Sequence, residues 1–153
     1  MARVRVEFIG FDENSAVLKA APKQAERALK QGLWRAGQFI RRIIVDGIRS
    51  PPKTGRLYKR RSVTHQASAE GEWPAADTGN LMRGVQSKNV PNAIAVDIDS
   101  TSAYGPALEF KAPSEGGRPF MSRGYDEGEQ GALEIIEDTV AAILPTDGKA
   151  TRR

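Results

Sequence analysis

Hydrophobic positions recur at two different spacings in the first third of this chain. Between Arg3 and Phe11 they alternate with polar residues, as in a strand with one solvated face. From Pro22 to Ile48 they recur every three or four residues, which is typical of an amphipathic helix. Ser50 precedes two prolines, and residues before proline avoid the helical conformation. We therefore predict one strand followed by one long helix.

Two glycines, Gly32 and Gly37, lie inside this helix. Each costs about 1 kcal/mol relative to alanine in a helix interior. Either both are simply tolerated, or another element approaches the helix backbone closely at these points. The helix would also be roughly 40 Å long, more than a small domain needs for its own core, which suggests packing against another subunit.

The second half of the chain predicts a hairpin and a further helix. Residues 84–99 alternate around a turn at Pro91-Asn92, and residues 104–110 suit one more short strand. Pro119 suits the start of a final helix. The predicted class is α+β, with a small antiparallel sheet packed by a long N-terminal helix and a C-terminal helix. We expect a single domain over residues 1–144, followed by a polar C-terminal tail, 145–153.

Residues 50–84, here called the arm, show neither periodicity and form a long extended loop between the first helix and the second strand. Loops this long are usually functional or disordered. Two similar turns bracket the arm, Thr54-Gly55 and Thr78-Gly79, where glycine can adopt positive φ. We expect the arm to bury apolar anchors on a neighbouring subunit; folding back over its own sheet is the alternative. The expected anchors are Leu57, Tyr58, Trp73 and Met82.

Charge is distributed unevenly along the 153 residues. The first 61 carry 15 Lys or Arg against 5 Asp or Glu, whereas the rest carry 8 against 14. This asymmetry suits an anionic partner or a second copy of the same chain. A basic cluster accounts for much of it, and an acidic protein, nucleic acid and plain solvent all remain open as its surroundings. The cluster comprises Arg49, Lys53, Arg56, Lys59, Arg60 and Arg61.

Residues suited to catalysis are sparse. The chain has no cysteine, which excludes disulfides and thiolate metal sites and favours a cytoplasmic setting. His65 is the only histidine, and we expect it to be exposed or to cap a turn. Asp97 and Asp99 alternate along a strand, and we expect them on a solvated face. No stretch predicts a signal peptide or membrane span. We predict no catalytic, metal-binding or cofactor-binding residue, and therefore not an enzyme.

An ordered set of motifs resembles one protein family. The long glycine-containing helix is followed by "SPPKTGRLY", "HQASAEGEWPAADTGNL", a tyrosine shortly before "ALEFK", and "RPFMSRGYDE". Together, over roughly residues 17–144, these motifs resemble the tail-completion or neck proteins of tailed double-stranded-DNA bacteriophages. In that pattern Tyr104 with Glu109-Phe110 forms a strand motif, and Pro119-Phe120 starts the last helix.

The resemblance implies a structural virion protein without a cofactor or a membrane. Several copies, typically six, would form a ring that joins the tail to the head, touching neighbouring neck, tail-terminator or tail-tube proteins and also packaged DNA. Assembly would take place in the host cytoplasm. Glu70 and Lys111 depart from the family pattern, which puts the conformations of their loops in question. The alternative function is a small basic nucleic-acid-binding protein that uses residues 49–61.

Overall fold

The computed structural model describes residues 2–7, 22–50 and 53–143, and the expected C-terminal tail lies outside them. The α+β class is confirmed. The elements in chain order are β1 (Ala2–Glu7), α1 (Pro22–Arg49), β2 (Leu57–Arg60), β3 (Val63–Gln66), α2 (Asn80–Gly84), β4 (Val85–Asn89), β5 (Ala95–Ser100), α3 (Gly105–Phe110) and α4 (Met121–Ile143), with a 3-10 turn at Pro113–Glu115.

A three-stranded antiparallel sheet has the order β1-β5-β4. Ser100 at the end of β5 lies opposite Ala2 on one side and Val85 on the other. The turn between β4 and β5 contains Asn92 at φ 59°, a conformation that asparagine tolerates better than most residues. The hairpin predicted at Pro91-Asn92 is confirmed. Residues 8–11 of the predicted first strand lie outside the described residues.

Helices α1 and α4 pack along each other and cover the sheet. The stripe predicted for α1 is buried, and Ile40, Ile44 and Ile48 are at most 2 % exposed. Burying each such side chain contributes about 1.5–3 kcal/mol. One cluster unites these residues with Val85 and Ile98 of the sheet. The core is therefore built between the helix pair and one face of the sheet.

Glycines let α1 and α4 approach closely. Each lies opposite a bulky side chain, so that an added Cβ would press against it or overlap it: Gly32 lies opposite Ile136, Gly124 opposite Ile44, Gly128 opposite Ile43, and Gly131 opposite Phe39. Gly37 faces the sheet instead, where an added Cβ would lie 2.7 Å from Val96 Cγ1. Gly32 and Gly37 are thus sites of close approach, which offsets their low helix propensity.

The short strand predicted over residues 104–110 is wrong, because Gly105–Phe110 is helical. Pro106 lies in the first turn of α3, where its fixed φ suits a helix and its missing N–H costs nothing. The Glu109 carboxylate at the end of α3 accepts hydrogen bonds of 2.9–3.0 Å from the backbone N–H groups of Phe120, Met121 and Ser122. It thereby caps α4, which begins at Met121, two residues beyond the proline expected to open it.

The solvated face expected for the aspartates of β5 is wrong for Asp99. This residue is 3 % exposed, and its carboxylate lies 3.1 Å from Lys88 Nζ on the neighbouring strand β4. Asp97 is only partly exposed and also has an interaction partner. In the described ranges, no group of three or more Asp, Glu or His side chains is placed to hold a metal ion.

Candidate interaction surface

The arm contains a two-stranded antiparallel hairpin, β2–β3, which the pattern did not predict. Leu57 pairs with Gln66 and Arg60 with Val63, and Arg61 in the turn has φ 54°. Two more backbone hydrogen bonds, Gly55 N–H to Ala67 O and Ala67 N–H to Arg56 O, extend the ladder. Residues 57–66 carry polar side chains on both faces, so the usual alternation is missing.

One face of the hairpin is held by the chain that follows it. The Tyr58 and His65 rings stack with centroids 5.7 Å apart. Asp77 lies beside both strands, accepting a hydrogen bond of 2.5 Å from Arg60 and placing a carboxylate oxygen 3.3 Å from His65 Nδ1. Removal from water and the nearby Asp77 carboxylate raise the pKa of Tyr58. His65 is thus a partly buried stacking residue, rather than exposed or capping as expected.

The remaining surface of the hairpin is open. Leu57 is 62 % and Val63 55 % exposed, although both are apolar. Arg56, Lys59 and Arg61 are exposed and form no hydrogen bond or ion pair through their side chains with any described residue. None of the other described helices and strands packs extensively against β2 or β3. The hairpin therefore presents apolar and cationic side chains against which no other described helix or strand packs extensively.

Residues 67–79, called here the return segment, are fixed to the domain. The Trp73 indole lies against Gly47 of α1 so closely that a Cβ there would overlap it. The Arg123 guanidinium of α4 lies over the same ring, 4.7 Å from its centroid, and donates a hydrogen bond of 2.9 Å to Gly71 O. The expectation that Trp73 and Met82 are anchors for a neighbour is corrected, because both pack against this chain's own core.

Glu72 joins the two ends of the arm. Its carboxylate accepts hydrogen bonds from Thr54 Oγ1 at 2.6 Å, from Thr54 N–H at 3.0 Å and from Ala69 N–H at 2.7 Å. The Thr54 hydroxyl and then these backbone donors lower the pKa of Glu72 from 4.5 to about 2. The carboxylate is therefore ionised at neutral pH and closes the base of the arm.

The two Thr-Gly pairs differ in what requires the glycine and in what the threonine binds. Gly79 has φ 74° and precedes α2, as expected for a glycine turn. Gly55 has no positive φ, and the expectation is wrong there. Instead, an added Cβ at Gly55 would lie 2.7 Å from Ala67 O. Thr54 binds Glu72, whereas Thr78 Oγ1 is 3.4 Å from Asn80 N.

The basic cluster is divided by the fold. Lys53 Nζ donates a hydrogen bond of 3.1 Å to Gly47 O, and partial burial lowers the pKa of Lys53. Arg60 is paired with Asp77. The other members, Arg49, Arg56, Lys59 and Arg61, are exposed. Sequence reasoning did not find Asp77, Glu72 or Val63; only Val63, an isolated apolar residue in a polar run, carried a signal.

A cleft of about 430 Å³ lies at the base of the hairpin. It is lined by Tyr58 and Arg60 of the hairpin, by residues of the return segment, and by Tyr104 and Leu108 of the α3 region. Tyr104 is 46 % and Phe110 74 % exposed, whereas Phe120 is fully buried. Of the family-motif residues, Glu109 and Phe120 thus have structural roles, and Tyr104 and Phe110 face solvent.

The chain has no match among family models, curated proteins or solved structures. In the part of the chain that the structure describes, no helix combines the length and apolarity needed to cross a bilayer.

Proposed function

We propose that this protein is a structural virion protein of a tailed bacteriophage, and that copies of it form a ring that completes the tail at the head–tail interface. We propose no catalytic role for His65, Asp97 or Asp99. Two kinds of observation support the proposal: the ordered motifs between residues 17 and 144, and the form of the arm.

The single observation that carries the proposal is the open hairpin. An isolated two-stranded hairpin is marginally stable in water, and exposed apolar side chains on it stabilise nothing in the monomer. Leu57 and Val63 are nevertheless exposed on a hairpin whose Lys59 and Arg61 form no ion pair with a described residue. A subunit that must contact its neighbours in an assembly provides a reason for such a surface.

Immunogold labelling of purified phage particles tests the proposal. In the phage that encodes this chain, the label should lie at the head–tail junction, and particles lacking the chain should accumulate as separate heads and tails. Supplying the wild-type chain in trans should restore joined particles. Absence of the chain from purified particles, or full infectivity without it, would contradict the proposal.

Nucleic-acid binding is the second candidate, and the exposed Arg56, Lys59 and Arg61 favour it. The Tyr58 ring counts against it, because it stacks on His65 and leaves no aromatic platform on this hairpin. A gel-shift titration on duplex DNA distinguishes the two functions. Three phosphate contacts by the hairpin would lower log K with a slope of roughly −2.7 against log salt, whereas the structural role does not require Arg56, Lys59 and Arg61 to bind duplex DNA.

A further inference from the structure

The outward surface of α4 carries carboxylates that lack a basic partner. Arg123 is the only basic residue of this helix, and it pairs with Glu127 at 2.7 Å. Glu129 and Glu134 are hydrogen-bonded to the neutral side chains of Tyr125 and Gln130, each at 3.0 Å. The acidic face comprises Asp126, Glu129, Glu134, Glu137 and Asp138, all of them exposed and none in an ion pair with a described residue.

The acidic face and the hairpin match in length. Asp126 and Glu137 are eleven residues apart, which corresponds to about 17 Å along a helix. A four-residue strand such as β2 spans about 13 Å, and the turn at Arg61 extends it further. The open hairpin could therefore lie along the acidic face over most of its length.

We propose that the hairpin of one copy docks on the acidic face of α4 of a second copy. This inference rests on the ring assembly proposed above and names its contact surfaces. Lys59 and, in the turn, Arg61 supply the positive charge, and Leu57, on the same face as Lys59, supplies apolar area. Because the two surfaces differ, the contact is head to tail, and its repetition gives a closed ring or an open filament.

Charge complementarity selects a second copy as the partner. No carboxylate of the acidic face, and neither Lys59 nor Arg61 of the hairpin, forms an ion pair with a described residue, and a second copy would supply the missing partners. Within one chain the two surfaces make no extensive contact, so neither neutralises the other. A second copy brings both complementary surfaces in equal number.

A charge-swap experiment tests this contact. Lys59→Glu with Arg61→Glu reverses the hairpin, and Glu134→Lys with Glu137→Lys reverses the acidic face. Each variant alone should weaken self-association about tenfold to a hundredfold in sedimentation velocity at low salt, because like charges then face each other. An equimolar mixture should recover assembly, since both alternating interfaces are again complementary.

Lys23→Glu with Arg27→Glu is the matched control. It makes the same change in net charge as the hairpin variant, at exposed positions near the N-terminal end of α1 that form no ion pair with a described residue, and assembly should match the wild type. Circular dichroism verifies that each variant is folded. Wild-type protein that stays monomeric at the highest soluble concentration, reversed variants that assemble normally, or a mixture that does not recover would each overturn the inference.

Further results separate this inference from its alternatives. A hairpin variant that assembles normally but loses duplex DNA in a gel shift would assign the hairpin to nucleic acid and overturn the docking. If the charge swaps change self-association as expected but the chain is absent from virions, the docking stands and the proposed function is wrong. If the charge swaps leave self-association unchanged but the chain is found at the head–tail junction, the docking is wrong and the proposed function stands.

Discussion

The hairpin and the return segment of the arm have similarly polar sequences but are held in place differently. The return segment is tied to α1 by Trp73 and to α4 by the Arg123 side chain, and Glu72 ties it to Thr54 at the start of the arm. The hairpin is held mainly at one face, by Asp77. Ordering a residue costs about 1–2 kcal/mol, so a long polar segment needs anchors to stay in place. One aromatic ring and one carboxylate provide them for the return segment, and the hairpin inherits its position from this base.

Of the changes proposed in the arm, removing the Trp73 ring should lower the free energy of unfolding most. Trp73→Ala deletes the contact with Gly47 and the cation–π contact with Arg123, and should lower the free energy of unfolding by about 2–3 kcal/mol. Leu57→Ala removes an apolar side chain that is 62 % exposed and should change it by less than about 0.5 kcal/mol. Urea denaturation of both variants measures the contrast, and equal small effects would mean that Trp73 does not fix the arm.

Adding a methyl group at Gly47, beneath the Trp73 indole, should change the free energy of unfolding in opposite directions with and without Trp73. Gly47→Ala places a methyl group where the indole lies, and overpacking of this kind costs about 1–3 kcal/mol. In the Trp73→Ala background the same substitution should stabilise the protein by up to about 1 kcal/mol, through helix propensity alone. Chemical denaturation of the four proteins in this double-mutant cycle tests the change of sign. Additive effects would contradict the contact.

Weakening the base of the arm should be visible in the titration of one carboxyl group. Thr54→Val removes the hydroxyl that contributes most to the low pKa of Glu72, so this pKa should rise from about 2 toward 4.5. Carboxyl ¹³C NMR measures both midpoints. A wild-type midpoint near 4.5 would show that the hydrogen bonds do not form in solution.

The same group gives the arm a pH dependence with a definite sign. Because the folded pKa of Glu72 is below its unfolded value, its contribution to stability is fully present above pH 4.5 and is lost as the pH falls toward 2. Glu72→Gln should remove this part of the acid sensitivity. An unchanged pH profile in the Gln variant would assign the acid sensitivity to other carboxylates.

The smallest effect is expected on the hairpin itself. Arg60→Ala breaks an ion pair whose arginine is about half exposed, and such pairs contribute about 0.2–1 kcal/mol. Hydrogen exchange should show faster exchange at residues 57–66 and no change at residues 67–73. Equal acceleration in both ranges would show that the two halves of the arm open as one unit.

Periodicity was sufficient to predict α1, the β4–β5 hairpin and the α+β class, because in these elements one face is buried and the other solvated. It was insufficient for β2–β3, where Lys59 and Thr64 face solvent on one side and Tyr58 contacts polar groups on the other. For α3, Pro106 suits a helix start, whereas the apolar residues around it favour a strand, and the helix is what forms.

The candidate site depends on contacts that leave no local pattern. Trp73 meets Gly47 from 26 positions away, and Asp77 reaches Arg60 from 17. A tryptophan in a polar stretch indicates burial but does not identify the surface that buries it. Both Leu57 and Trp73 were expected to be anchors on a neighbour; only the fold shows that Leu57 is exposed and that Trp73 packs against this chain's own core.

The glycine pairs between α1 and α4 have a mechanical consequence. Ile44 occupies the recess at Gly124, and Ile136 of the opposite helix occupies the one at Gly32. Sliding one helix along the other by a single residue, about 1.5 Å, would drive these isoleucines out of their recesses into the adjoining turns. The helix pair therefore resists sliding, so that a force applied along the helices is transmitted from one end of the pair to the other.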